Sequence, residues 1–105
     1  METQNYTIRE FVTESGKNLY RNWLDTLDSS VKARIQARIL RLETGNLGNC
    51  ESVGKGVFEV KLNFGPGYRV YYSFEGQKMI LLLGGGNKST QSTDIKKAQN
   101  IWNSY

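Results

Sequence analysis

Two periodicities divide the chain. From Lys17 to Leu27 the apolar residues Tyr20, Trp23, Leu24 and Leu27 fall at i, i+3, i+4 and i+7, the spacing of one helix face. Asp28-Ser29-Ser30 then offers cap chemistry for a second helix running to about Thr44, with Val31, Ile35, Ile39 and Leu42 as its apolar stripe. Arg34, Arg38 and Arg41 line up on a neighbouring stripe. The short turn between the two helices predicts an antiparallel hairpin. Ahead of it, Asn5 to Val12 is rich in β-formers and reads as a strand. Behind it, Gly45-Asn46-Leu47-Gly48-Asn49 opens a loop to about Gly56.

From Val57 the period drops to two. Phe58, Val60, Leu62 and Phe64 alternate with Val57, Glu59, Lys61 and Asn63, giving a strand with one apolar and one largely polar face. After the turn Gly65-Pro66-Gly67, Tyr68, Val70, Tyr72 and Phe74 alternate with Arg69, Tyr71 and Ser73. Glu75-Gly76-Gln77-Lys78 makes a second hairpin turn. Met79 to Leu83 is apolar throughout, as a central strand buried on both sides, or nearly so, must be. Gly84-Gly85-Gly86 ends it, and Asp94 to Trp102 reads as a closing helix capped by Ser92 or Thr93. The expected order is β-α-α-β-β-β-α: an α+β fold over residues 1–105 as one domain, its small antiparallel sheet carrying the helical hairpin on one face.

Charge sharpens this picture. The net charge is +4, and all of the excess lies in the second half: residues 1–54 carry seven basic and seven acidic groups, residues 55–105 seven basic and three acidic. That favours an anionic partner such as nucleic acid or an acidic protein. No apolar run reaches membrane-spanning length, and the first ten residues lack the basic and apolar regions of a secretory signal. The one cysteine, Cys50, fits a reducing compartment, so the expected location is the cytoplasm, with no membrane partner.

If the hairpin covers the apolar faces of the two alternating strands, the opposite face presents Glu59, Lys61, Arg69 and Tyr71, with Lys88 arriving after the last strand. An open, cationic, partly aromatic sheet face suits single-stranded RNA. Lys55, Arg34, Arg38 and Arg41 are further candidates for RNA contact. The chain has no histidine and one cysteine, which excludes a Ser/His or Cys/His nucleophile and argues against a metal-ligand cluster; no cofactor is implied. Cleavage by the substrate's own 2′-hydroxyl remains. It needs a base for that hydroxyl, positive charge on the phosphorane and help for the leaving 5′-oxygen. Lysine or Glu59 could be the base, and Tyr71 could hold the phosphate. Each residue also has a plainer reading: Lys61 as a solvated charge, Arg69 as Glu59's structural ion pair, Tyr71 as packing, the arginine stripe as a solvated face. Gly84 to Thr90 is no phosphate-binding P-loop, because Asn87 precedes Lys88 and Leu81 stands five residues before Gly86.

The run GVFEVKLNFGPGYRVYYSF, followed by ILLLGGGNKSTQSTDIKKAQNIW, resembles the RelE/ParE toxin superfamily, in its phage-derived, HigB-like addiction-module killer branch. The likeness spans about residues 56–102. It implies a β-α-α-β-β-β core, toxicity through ribosome-dependent mRNA cleavage, and a cognate antitoxin that wraps the toxin. Arg69 falls on the strand arginine that contacts the scissile phosphate in cleaving members, Lys61 on a basic residue of the preceding strand, and Lys88 near the basic position after the last strand. Glu59 stands where cleaving members carry lysine, and the C-terminal tyrosine of some members has only Tyr105 as a distant counterpart. These departures leave the base open. They also leave open a non-catalytic toxin acting on DNA gyrase, or an inactive remnant that binds only its antitoxin.

Overall fold

The computed structural model describes residues 5–105; residues 1–4, on which the reading against a secretory signal partly rests, lie outside it. The chain runs β1 (Thr7–Glu10), α1 (Leu19–Leu24), α2 (Ser29–Leu40), a 3-10 turn (Arg41–Thr44), β2 (Cys50–Gly54), β3 (Val57–Leu62), β4 (Tyr68–Glu75), β5 (Met79–Gly86), a second 3-10 turn (Lys88–Thr90) and α3 (Gln91–Asn103). The described strands form one sheet in the order β1-β5-β4-β3-β2. The expected α+β class holds, with two differences. The sheet is mixed, because β1 runs parallel to β5. An unforeseen edge strand, β2, lies within the expected loop and pairs with β3.

Both faces of the sheet are covered. On one, Tyr20, Leu24, Ile35, Ile39 and Leu42 of the helical hairpin pack on Val60, Leu62, Val70, Tyr72, Ile80 and Leu82. Each such side chain contributes roughly 1.5–3 kcal/mol on burial. On the other, α3 lays Ala98, flanked by Ile95, Ile101 and Trp102, over Val57, Tyr71, Leu81 and Leu83. The expectation of an open second face is therefore corrected: Glu59 is 1% and Tyr71 0% exposed. The cause is α3's own apolar stripe, which needs a surface to bury against. Trp102 joins this second layer.

The hairpin is anchored at its entry. Asn18 caps α1 by accepting from the Arg21 amide at 2.9 Å, and its amide donates to Glu10 of β1 at 2.9 Å. Arg21 binds the same carboxylate through two guanidinium nitrogens. This pairing, more than burial, fixes Glu10 and holds its carboxyl below the ordinary range.

Candidate functional site

The cationic residues gather at one end of the sheet. Strand pairing sets Lys61 beside Arg69 and Glu59 beside Tyr71, all on the α3 side. The turn from Asn63 to Gly67 closes that end. Lys88 reaches it from β5: its amide donates to the Pro66 carbonyl at 3.4 Å. From the other side α2 brings Arg34 and Arg38, and the 3-10 turn after it Arg41, which with Lys61, Asn49 and Phe64 line a groove of about 570 Å³. The Arg34 guanidinium lies over the Phe64 ring, 3.7 Å from its centroid. Lys61 thus belongs to both the groove and the Arg69 cluster.

Arg69 is held rather than free. Its Nη1 donates to the Gly67 carbonyl at 2.7 Å, and its Nε lies 3.6 Å from Glu59 Oε1, an ion pair but too long for a hydrogen bond. Gln91, the first residue of α3, donates to both Glu59 oxygens at 3.1 and 3.2 Å. Glu59 therefore fastens Arg69 and the start of α3 to the same point. That arrangement combines a fixed guanidinium with a carboxylate shielded from solvent, and it suits an anion held at Arg69 better than proton abstraction by Glu59.

Tyr71 is buried between these groups, with its hydroxyl unpaired. Burial, then the Glu59 and Asp94 carboxylates, push its pKa well above the ordinary tyrosine value. Its phenol stays protonated at neutral pH, so it can donate a hydrogen bond and cannot serve as base.

One expected contributor, Lys55, and the distant tyrosine counterpart, Tyr105, lie elsewhere. Lys55 sits at the tip of the β2–β3 hairpin with φ 56°, at the end of β3 opposite Lys61. The strand from Val57 to Lys61 alone spans roughly 13 Å along the sheet. Tyr105 stacks on Trp102 and hydrogen-bonds Glu75, the last residue of β4, six residues from Arg69. Sequence reading also missed Gln91 and Asp94, because it started the last helix too late and left no contact for its first turn. Their signal was the polar run after Asn87, whose side chain caps the 3-10 turn by accepting from the Ser89 amide.

Among the described residues no group of three or more potential ligands could hold a metal ion, and no helix is long and apolar enough to cross a membrane. A small mixed sheet clamped between a helical hairpin and a last helix, with a cationic end, is a RelE-like α+β fold. A family model described as phage derived protein Gp49-like matches residues 22–105, and the chain belongs to that family, which is toxin-like and of the addiction-module type. A Haemophilus influenzae protein named only as uncharacterized is 46% identical over 81 residues, 76% of this chain and 82% of its own length. No solved structure matches significantly.

Proposed function

We propose that this protein is the toxin of a toxin–antitoxin pair and that it cleaves mRNA on the ribosome without a metal. The observation that carries the reading is the convergence of Arg69, Lys61 and Lys88 at one end of the sheet, with the Arg34/Arg38/Arg41 groove continuing the positive surface. Family membership supports it from a different direction.

In this reading the scissile phosphate sits at Arg69. The substrate's 2′-oxygen attacks phosphorus as its proton passes to one of the two rim lysines, Lys61 or Lys88, acting as the neutral amine. The bond to the 5′-oxygen breaks, that oxygen takes a proton from the ammonium of the other lysine, and the products are a 2′,3′-cyclic phosphate and a 5′-hydroxyl. Arg69 neutralises the developing phosphorane charge. Glu59 and Gln91 are positioning residues that act through Arg69. The groove tracks the RNA backbone, and a cognate antitoxin silences the toxin by covering this cationic end.

The test is primer extension on a reporter mRNA in a reconstituted bacterial translation system, with and without ribosomes. Cuts that need ribosomes and fall at least ~10²-fold with Arg69→Ala, the usual scale for losing one transition-state charge contact, are expected. Intact mRNA with normal translation, from folded protein, would overturn the reading; a DNA-damage response on expression would then point to gyrase.

A further inference from the structure

β1 ends opposite Leu82, so among the described residues the last stretch of β5 has no strand on that side. The gap holds a cavity of about 220 Å³. Gly84 and Gly85 are its floor, Trp23 of α1 one wall, and Asp94, Lys97 and Ala98 of α3 the other. The glycines are what let the walls close in. A Cβ on Gly85 would overlap the Trp23 ring, and one on Gly86 would overlap the Asp94 carboxylate. Above Gly84, by contrast, a Cβ would meet nothing within 4 Å. The volume equals about seven waters at ~30 Å³ each. It falls short of the ~300–1,000 Å³ of sites for whole small molecules, and so fits a flat ring rather than a complete nucleotide.

From this geometry we propose that the cavity is a base pocket selective for guanine in the RNA substrate. The proposal rests on the ribonuclease reading for its place beside the scissile phosphate: Asp94 lies against Gly86, and Gly86 pairs directly with Arg69 in the β4–β5 register. A nucleotide whose phosphate meets Arg69 has its neighbouring base at this opening. The wall chemistry selects among bases. Asp94 and Lys97 are three residues apart on α3 and share a face. A carboxylate beside an ammonium matches an edge with two adjacent donors and one acceptor. Guanine alone offers that, through N1–H, N2–H and O6. Adenine and cytosine present one donor group beside ring acceptors, and uracil one donor between two acceptors. The Trp23 indole gives the apolar and stacking surface that splayed-out RNA bases take. Thr90's hydroxyl donates to Asp94 Oδ2, which fixes the carboxylate and leaves Oδ1 and further lone pairs to accept from the base.

The test uses the full chain and four trinucleotides UNU, with N each base in turn and 2′-O-methyl sugars that prevent cleavage, titrated by NMR and calorimetry. The guanine trinucleotide should bind at least ~10-fold more tightly than the other three, the scale of one good bidentate base contact, and should shift the Trp23 indole and the Gly84 and Gly85 amides. Asp94→Asn, which keeps an acceptor for Thr90 and so the local fold, should bring the four within about threefold of each other, less than one such contact. Lys97→Ala should do the same. No binding, equal binding of all four, or a guanine preference that survives Asp94→Asn would overturn the pocket while leaving mRNA cleavage at Arg69 untouched. Guanine-selective binding by a protein that cuts no mRNA would keep the pocket and overturn the ribonuclease reading.

Discussion

Arg69→Ala removes the guanidinium from a carboxylate that remains buried. The two side chains are 11% and 2% exposed, so Glu59 keeps its charge away from water without its ion-pair partner. Breaking a buried pair from one side costs about 3–5 kcal/mol. The low end applies here, because the 3.6 Å Nε–Oε1 separation is not a hydrogen bond and Gln91 still donates to both oxygens. A loss of about 3 kcal/mol is a large share of the roughly 5–15 kcal/mol that holds a domain together. Adding Glu59→Gln removes the stranded charge, so the double variant should regain most of the loss. Urea unfolding followed by circular dichroism measures all three proteins, and mRNA cleavage measures their activity. Both variants should be inactive, and the double variant should be folded; inactivity then belongs to the missing guanidinium and not to unfolding. An Arg69→Ala protein within about 1 kcal/mol of the parent, or a double variant no more stable than the single, would refute the view that Glu59 is buried against Arg69.

Three further outcomes follow from other parts of the molecule. Gly85→Ala should lose about 1–3 kcal/mol in urea unfolding, because the added carbon overlaps Trp23, whereas Gly84→Ala should not suffer such a clash; equal losses would refute the assignment of walls and floor. Burial raises the Tyr20 pKa from 10.0 to about 12, and burial also raises those of Tyr71 and Tyr72, so their neutral forms favour the folded state. That stability is present in full below the unfolded value and should fall as pH rises from 10.0 to about 12; a flat unfolding free energy across that window would contradict it. In salt titrations of single-stranded RNA binding, Arg34→Ala or Arg38→Ala should lower the slope by about 1, and Lys55→Ala, at the far end of the sheet, should leave it unchanged; a Lys55→Ala effect as large as Arg34→Ala would refute the placement of the RNA track.

The alternation in residues 57–74 already put Glu59, Lys61, Arg69 and Tyr71 on one side of the sheet, because side chains in a strand can only alternate. The helical hairpin was legible for the same kind of reason: Tyr20, Leu24, Ile35 and Ile39 keep a helical period and all are buried. Strand β2 was not. Its residues Cys50-Glu51-Ser52-Val53-Gly54 include none that is fully buried, and an edge strand joined by backbone bonds needs no apolar pattern to form. The triple glycine misled in the opposite way. It reads as a chain break, yet it continues β5 to Gly86, because Trp23 and Asp94 occupy the space where side chains would stand at two of the three positions.

The covering of the second face changes what chemistry the site can support. On an open sheet, Glu59 and Tyr71 would be candidates for direct proton transfer, as exposed groups within reach of a substrate hydroxyl. Under α3 they are not: Glu59 is buried, ion-paired with Arg69 and hydrogen-bonded by Gln91, and Tyr71 is buried and held in its protonated form. In the proposed cleavage, proton transfer is then left to the groups at the rim, Lys61 and Lys88. Lys61 is held by Glu51 at 3.2 Å on the sheet edge, in a solvent-exposed pair worth at most about 1 kcal/mol, so an arriving phosphate can displace the carboxylate at little cost. Under that proposal the cluster divides the work by burial. The inner residues fix one guanidinium in place, and the outer lysines keep the freedom that a proton carrier needs.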